Sequence, residues 1–167
     1  MLKEILLAVI PIGCAGAGKI LSNGKKRRAE IVGEILAALR VLRLRMLNSM
    51  EPLSVLLRKS DSLLFRELGN SLWVGSNLSE CWALQKKLSM KKGGLLDSLT
   101  SEDMEILDIL FEKLGKSGRE EQGELFASVI ERLEEVQISA RKKQTEAARI
   151  YTALGALAGV TIAILII

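Results

Sequence analysis

The sequence predicts an all-α protein, a compact cytoplasmic helical bundle with an N-terminal and a C-terminal transmembrane helix. Helix-favouring Leu, Ala, Glu, Lys and Arg dominate its 167 residues, and proline occurs only at positions 11 and 52. Apolar residues recur every three to four positions through the middle of the chain, which is the period of an amphipathic helix. Each end contains an uncharged run with a basic inner flank, as at membrane-spanning segments.

The C-terminal segment, residues 150–167, is 18 residues long and carries no charge, which is the length expected of a membrane-spanning helix. Its inner flank is basic, with Arg141, Lys142, Lys143 and Arg149. Because positively charged flanks stay in the cytoplasm, we expect this segment to carry the C-terminus across the membrane. Gly155 and Gly159 form a GxxxG pair, which allows close approach of a second membrane helix.

The N-terminal segment, residues 1–22, is predicted to be the other membrane helix. Its uncharged run covers residues 5–18 and extends further if Lys19 directs its ammonium group to the lipid headgroups. Four basic residues at 25–28 place that flank in the cytoplasm as well. Both termini would then be non-cytoplasmic, and residues 23–149 would form the cytoplasmic domain.

Residues 13–19 fit three patterns. Gly13 and Ala17 are spaced i, i+4, which suits packing against another membrane helix, and we prefer this interpretation. The same stretch matches the GxxxxGK of a P-loop, but Ile20 stands where Ser or Thr must reach magnesium. A secretory or lipoprotein signal cut near Cys14 is the third pattern. Cleavage there would leave the following basic cluster outside the cytoplasm, against the usual trend.

Five helices are predicted between the two membrane segments. The first covers residues 29–47, and the second runs from Pro52 to Gly69, where glycine is expected to end it. The third covers residues 78–88. The apolar stripe of the first helix is Val32, Ile35, Leu39, Leu42 and Met46. The buried side of the second is predicted to be Leu53, Leu56, Leu57, Leu63, Leu64 and Leu68.

The fourth predicted helix covers residues 100–115, and the fifth begins at residue 118. From Phe126 onwards no Gly or Pro interrupts the fifth helix before the membrane segment. Capping residues precede the later helices: Asn77, Thr100 with Asp103, and Ser117 with Glu120. The final helix carries an apolar seam of Phe126, Val129, Leu133, Val136 and Ala140. The stripe and the seam have similar spacing, so we expect the first and last helices to pack antiparallel.

Charge is distributed unevenly along the chain. Residues 19–50 carry eight basic and two acidic side chains, a net charge of +6, and residues 101–149 carry eight and twelve, a net charge of −4. This difference modestly favours the predicted pairing of the first and last helices. Two charged helical faces are candidates for partner binding: Arg40, Arg43 and Arg45, and Glu102, Glu105, Asp108 and Glu112.

The composition excludes several classes of chemistry. The chain has no histidine, which removes Ser-His and Cys-His nucleophiles and every histidine metal ligand. Cys14 and Cys81 do not form a CxxC motif, and Trp82 is expected in the core. The basic face lacks the interleaved aromatic residues of nucleic-acid binders. We therefore expect no catalytic residue, cofactor, metal or nucleic-acid partner. The carboxylates at 102, 105, 108 and 112 are expected to form a solvated helix face.

Short motifs along nearly the whole chain resemble one known family. They are Glu51-Pro-Leu53, Ser79-Glu-Cys-Trp82, Glu105-Ile-Leu107, Leu114-Gly115, residues 117–122 and Tyr151-x-x-Leu-Gly155. With terminal membrane segments around a helical domain, this order resembles the stage III sporulation protein AB family. That family is similar to the inner-membrane platform proteins of type II secretion and type IV pilus systems. Gly118 departs from the Ser-Asp-Arg usual near the last turn, and Cys81 from the common Ala.

The resemblance implies a structural component of a sporulation channel or secretion-like complex in the mother-cell membrane around the forespore. Its implied partners are a secretion-type cytoplasmic ATPase, other stage III sporulation membrane proteins, the lipid bilayer and, as an open alternative, further copies of the chain. Besides the two charged faces, the turn that contains Ser117 and Arg119 is a candidate contact. The alternative is a membrane-tethered coiled-coil regulator or adaptor without a secretion role, whose helix at 118–149 would dimerise by itself.

Overall fold

A computed structural model describes the backbone of residues 2–73 and 76–166, and the side chains of 24–73, 76–151, 153, 154, 157 and 161. The described backbone forms six α-helices and no strand, which confirms the predicted all-α class. The helices are α1 Leu2–Asn48, α2 Leu53–Arg58, α3 Leu63–Ser71, α4 Leu78–Ser89, α5 Ser101–Lys113 and α6 Arg119–Ile166.

The chain divides into two compact units. One comprises Glu30–Ile138, and the other comprises Met1–Ala29 together with Ser139–Ile167. The Glu30–Ile138 unit contains α2 to α5, with the adjoining parts of α1 and α6, around one hydrophobic core. In the other unit the buried apolar side chains among the described residues are Ala29, Ala140 and Ala147. The division into membrane segments at 1–22 and 150–167 stays a prediction.

Helices α1 and α6 pack antiparallel within the Glu30–Ile138 unit. Along α1, Gly33 faces the end of Gln137, Arg40 contacts Glu134, and Leu47 faces Gly123. Residue numbers on α6 therefore decrease as those on α1 increase. The stripe residues Val32, Ile35, Leu39 and Leu42 are buried, as are Phe126, Val129, Leu133 and Val136 of the seam. Met46 is partly buried against the same core. The predicted bundle closed by the first and last helices is therefore confirmed.

The segment predicted as one helix from Pro52 to Gly69 is instead two helices, α2 and α3. The chain leaves α2 after Arg58, and α3 continues past Gly69 to Ser71. Gly69 allows a close approach between them, because a Cβ atom there would lie 2.6 Å from the Arg58 backbone nitrogen. The Arg58 guanidinium donates hydrogen bonds to the carbonyl oxygens of Gly69 and Leu72, both at 2.9 Å. This glycine is a packing site, and its prediction as a helix end is wrong.

The ends of the later helices follow local sequence signals. Thr100 and Asp103 form the predicted capping box at the start of α5. Gly115 follows α5 with φ of 77°, a backbone conformation that favours glycine. Asn77 caps α4, but its side-chain oxygen accepts from the Ser79 backbone nitrogen at 3.1 Å. The cap therefore involves Ser79, two residues after Asn77, instead of the predicted Glu80, three residues after it.

An aromatic cluster joins α3, α4 and α5 in the core. The Trp82 and Phe111 ring centroids lie 4.5 Å apart, and Phe65 meets Phe111 edge-on at 5.7 Å. Trp82 is buried, as predicted, and its indole N–H donates to Asp108 Oδ1 at 2.7 Å. The hydrogen bond satisfies the polar end of a side chain that is otherwise surrounded by apolar groups.

Candidate partner-binding surfaces

A groove between α1 and α6 of the Glu30–Ile138 unit is the first candidate surface, with a volume of about 410 Å³. Its lining residues are Arg40, Arg43, Leu44, Leu47, Asn48, Ile130 and Glu134. Leu44 is 65% exposed although it is apolar. The groove therefore presents apolar surface beside guanidinium groups, which suits a partner segment that carries both apolar and acidic side chains.

The three arginines of the predicted basic face occupy two different places. Arg40 donates to Glu134 Oε1 at 2.6 Å, in a pair that is largely exposed and so adds little stability. Arg43 is half-buried in the groove and has no hydrogen-bond or salt-bridge partner among the described residues. Arg45 donates to the Lys59 carbonyl oxygen at 3.2 Å. Of the three, Arg40 and Arg43 line the groove together, and within the described part of the chain the Arg43 charge is unpaired.

The predicted acidic face on α5 is also divided. Glu102, Glu105 and Glu112 are exposed, as expected for a solvated helix face. Asp108 is half-buried and accepts hydrogen bonds from the Trp82 indole and from Lys86 Nζ, the latter at 2.6 Å. Asp108 therefore holds α4 against α5, and three glutamates remain as an acidic surface.

The turn between α5 and α6 is held together by Gln122, which is only 2% exposed. Its amide oxygen accepts from the Gly115 backbone nitrogen at 3.1 Å. Its amide nitrogen donates to the Lys113 carbonyl oxygen at 3.2 Å and to Ser117 Oγ at 2.6 Å. The Ser117 hydroxyl is thus used inside the turn instead of capping α6 with Glu120, while Arg119 is exposed.

Sequence reasoning missed Gln122, although a signal for it exists. Position 122 extends the seam of 126, 129 and 133 by one further helical turn, so its side chain had to face inwards. A polar residue at such a position requires hydrogen-bond partners. The free carbonyl and amide groups of the adjacent turn supply them.

A second cavity, of about 460 Å³, lies between α5 and α6 beside this turn. Its charged lining residues are Lys113, Lys116, Glu121, Glu124 and Arg132. Three positive and two negative side chains give it no strong net charge. It has no electrostatic character that selects a particular class of ligand.

The residues predicted for membrane-helix packing, Gly13, Ala17, Gly155 and Gly159, lie outside the residues whose packing the structure describes. The Gly13–Lys19 motif falls within the span of α1. Among the described residues, no helix combines the length and the apolar character needed to cross a bilayer. The same residues contain no group of three or more cysteine, aspartate or glutamate side chains placed to hold a metal ion.

Comparison with known proteins identifies one family. Neither the curated proteins nor the solved structures provide a match to this chain. The family model of stage III sporulation protein AB matches residues 3–167. This match extends over both helical units and confirms the resemblance found in the sequence. The chain therefore belongs to the stage III sporulation protein AB family.

Proposed function

We propose that the chain is a membrane-anchored structural component of a sporulation channel or secretion-like complex. In this proposal it is the platform between a cytoplasmic ATPase and the membrane assembly. Residues 1–22 and 150–167 cross the mother-cell membrane around the forespore. Residues 23–149 are cytoplasmic, and both termini are non-cytoplasmic. The protein acts through binding and positioning, not through catalysis.

The observation that carries this proposal is a helical bundle with its own core inside a chain of the sporulation family. The Glu30–Ile138 unit buries large apolar side chains from all six helices, among them Leu39, Phe65, Phe111 and Phe126. A core of this kind holds surface side chains in fixed positions, as a docking platform requires. The uncharged runs at both ends of the sequence supply the membrane attachment.

The same core favours a platform over a membrane-tethered coiled-coil regulator. A regulator of that kind would use the apolar seam of α6 to dimerise. In this chain Phe126, Val129 and Leu133 are buried within their own bundle. Pairing through that seam would require the bundle to open.

Of the surfaces described above, the groove between α1 and α6 is the one we assign to ATPase binding, because it combines an arginine unpaired among the described residues with exposed apolar surface. Arg43 is half-buried in the groove, and its guanidinium has no hydrogen-bond or salt-bridge partner among the described residues. This guanidinium is available for a charge-assisted hydrogen bond to a carboxylate of another protein. The exposed Leu44 beside it adds apolar contact area.

Membrane topology is the first test of the proposal. Gly93 is exposed, has φ of 85°, and has open space around the position of a Cβ atom, so an insertion there should not disturb the bundle. A reporter inserted at Gly93 is expected to report the cytoplasm, and one fused after residue 167 the opposite side. The reverse pattern, or a cytoplasmic report from both sites, would contradict the proposal.

The ATPase contact is tested by co-purification of the full chain with the secretion-type ATPase of the same cell. Arg43→Glu should weaken retention about ten-fold or more, because a hydrogen bond to a charged group contributes roughly 1.5–3 kcal/mol. Arg66→Glu is the matched control, since Arg66 is an exposed arginine on α3 outside the groove. Equal retention of both variants would remove the groove from the proposal, and no retention of the wild type would refute the ATPase contact.

A further inference from the structure

The outer side of α4 and the turn that follows it carry an exposed apolar surface with lysines around it. Leu84 and Leu88, one helical turn apart, are 64% and 60% exposed, and Met90 is 47% exposed. Single exposed apolar residues are ordinary, but neighbouring ones indicate a contact surface. We call this surface the α4 patch: Leu84, Lys87, Leu88, Met90, Lys91 and Lys92.

The α4 patch carries three lysine ammonium groups. Lys87, Lys91 and Lys92 are exposed and have no hydrogen-bond or salt-bridge partner among the described residues. Lys86 differs from them, because its ammonium group is bound to Asp108 at 2.6 Å. The nearby Asp97 carboxylate accepts from the Gly93 backbone nitrogen.

We propose that the α4 patch is a peripheral membrane-contact site that binds anionic phospholipid headgroups. The lysine ammonium groups pair with lipid phosphates, and the two leucines with Met90 enter the region between headgroups and acyl chains. Exposed leucines with lysines at their border are typical of segments that lie in a membrane interface. Here Lys87 borders Leu84 and Leu88 on α4, and the other two lysines of the patch follow in the turn. Each lysine near an anionic surface strengthens such binding about five-fold.

Three properties of the patch favour a lipid surface over a protein partner. Its apolar side chains stand on the convex outer side of a helix, and none of them lines the grooves described above. A bilayer interface adapts to a convex surface, whereas a protein must supply a matching pocket. All its cations are lysines, which are depleted in protein interfaces where arginine is enriched. Three apolar side chains also cover less area than a stable protein–protein interface needs.

This contact goes beyond the platform role and does not depend on an ATPase. In one respect it rests on the proposed function, because membrane anchoring keeps the patch at a high effective concentration near lipid. Under that condition even a small patch is occupied. The consequence is an additional, charge-dependent attachment of the Glu30–Ile138 unit to a membrane surface.

The test uses the full chain in vesicles with a fluorescent label in the patch. Cys14 and Cys81 are replaced by alanine, and an environment-sensitive dye is attached to a single cysteine from Met90→Cys. The vesicles contain phosphatidylcholine alone or with phosphatidylglycerol, and a spin-labelled lipid quenches any dye that enters the interface. A dye attached through Arg66→Cys, on the exposed side of α3, is the control.

We expect a blue-shifted, lipid-quenched signal from position 90 in anionic vesicles only, and an unquenched signal from position 66. Reversal of Lys87, Lys91 and Lys92 to glutamate should abolish quenching, since three lost attractions alone weaken binding on the order of 100-fold. Replacement of Leu84 and Leu88 by serine should remove the blue shift. Circular dichroism checks that the variants keep their helix content.

Several outcomes would overturn the proposal. One is that the dye at position 90 is not quenched in anionic vesicles. Another is that quenching persists after the three lysines are replaced by glutamate. A third is that the blue shift appears only when a protein partner is added. Flotation of the same samples distinguishes a failure of the patch proposal from a failure of the proposed membrane anchoring. An anchored chain floats with neutral vesicles, whatever the dye reports. A chain that lacks anchoring but has an active patch floats with anionic vesicles alone, and high salt releases it.

Discussion

Replacement of Gly69 by alanine tests the tightest contact between α2 and α3. The added Cβ would lie 2.6 Å from the Arg58 backbone nitrogen and 2.9 Å from both the carbonyl carbon and the Cβ of Leu57. These atoms belong to the backbone and the inner side of α2, so the whole helix must move. The shift also lengthens the two hydrogen bonds from the Arg58 guanidinium to carbonyl oxygens at the end of α3.

The size of the effect follows from three terms. Overpacking of a tight contact costs about 1–3 kcal/mol, and weakening hydrogen bonds to a charged group adds on the order of 1 kcal/mol. Alanine recovers about 1 kcal/mol of helix propensity. The expected net loss is about 1–3 kcal/mol, or a fall in Tm of roughly 4–15 °C for a unit of this size.

Gly33→Ala is the matched control, because Gly33 is another helical glycine with a close neighbour. A Cβ there would meet Gln137 Nε2 at 2.6 Å, and the next atom of that side chain is 3.9 Å away. The end of a flexible side chain moves aside at little cost, so this variant should unfold within about 1 kcal/mol of the wild type. Urea and thermal unfolding of a fragment of residues 25–149 measure both variants. Equal stability of the two variants would refute the packing role of Gly69.

Further variants are measured by the same unfolding experiments. Leu39→Ala or Leu133→Ala should each cost about 2–5 kcal/mol, since both side chains are fully enclosed. Unchanged melting of both would mean that the bundle is not self-contained. Gln122→Ala should cost about 2 kcal/mol, because buried groups of the α5–α6 turn lose their partner. Thr100→Ala removes a capping box and should cost about 1 kcal/mol. Ser62→Ala should be neutral or stabilising, because its buried hydroxyl has no partner among the described residues; a loss as large as that of Thr100→Ala would contradict this.

Comparison of the predicted and observed helices shows where local signals suffice. The stripe on α1 and the seam on α6 were predicted residue by residue, because an amphipathic helix must bury its apolar side. Thr100 and Gly115 mark helix ends through hydrogen bonding and backbone conformation within a few residues. Such features depend on short stretches of chain, so they are readable without knowledge of the fold.

The α2–α3 region shows where those signals fail. Its leucines recur at spacings that a single helix also satisfies, and Gly69 resembles a helix end. The structure uses that glycine to let two helix backbones approach, a role that only the position of α2 can reveal. Ser62 similarly becomes buried at the start of α3 without a side-chain capping bond.

The sequence by itself determined the helical class, the pairing of the first and last helices and the family, because periodicity, caps and short motifs are properties of the linear chain. The tertiary structure decided which charged side chains remain free for partners. Arg43 lies half-buried in a groove while Arg45 bonds to the end of α2, and Asp108 joins α4 whereas Glu105 stays exposed. Charge pairs of this kind join residues far apart in the chain, so their distances depend on how the helices pack.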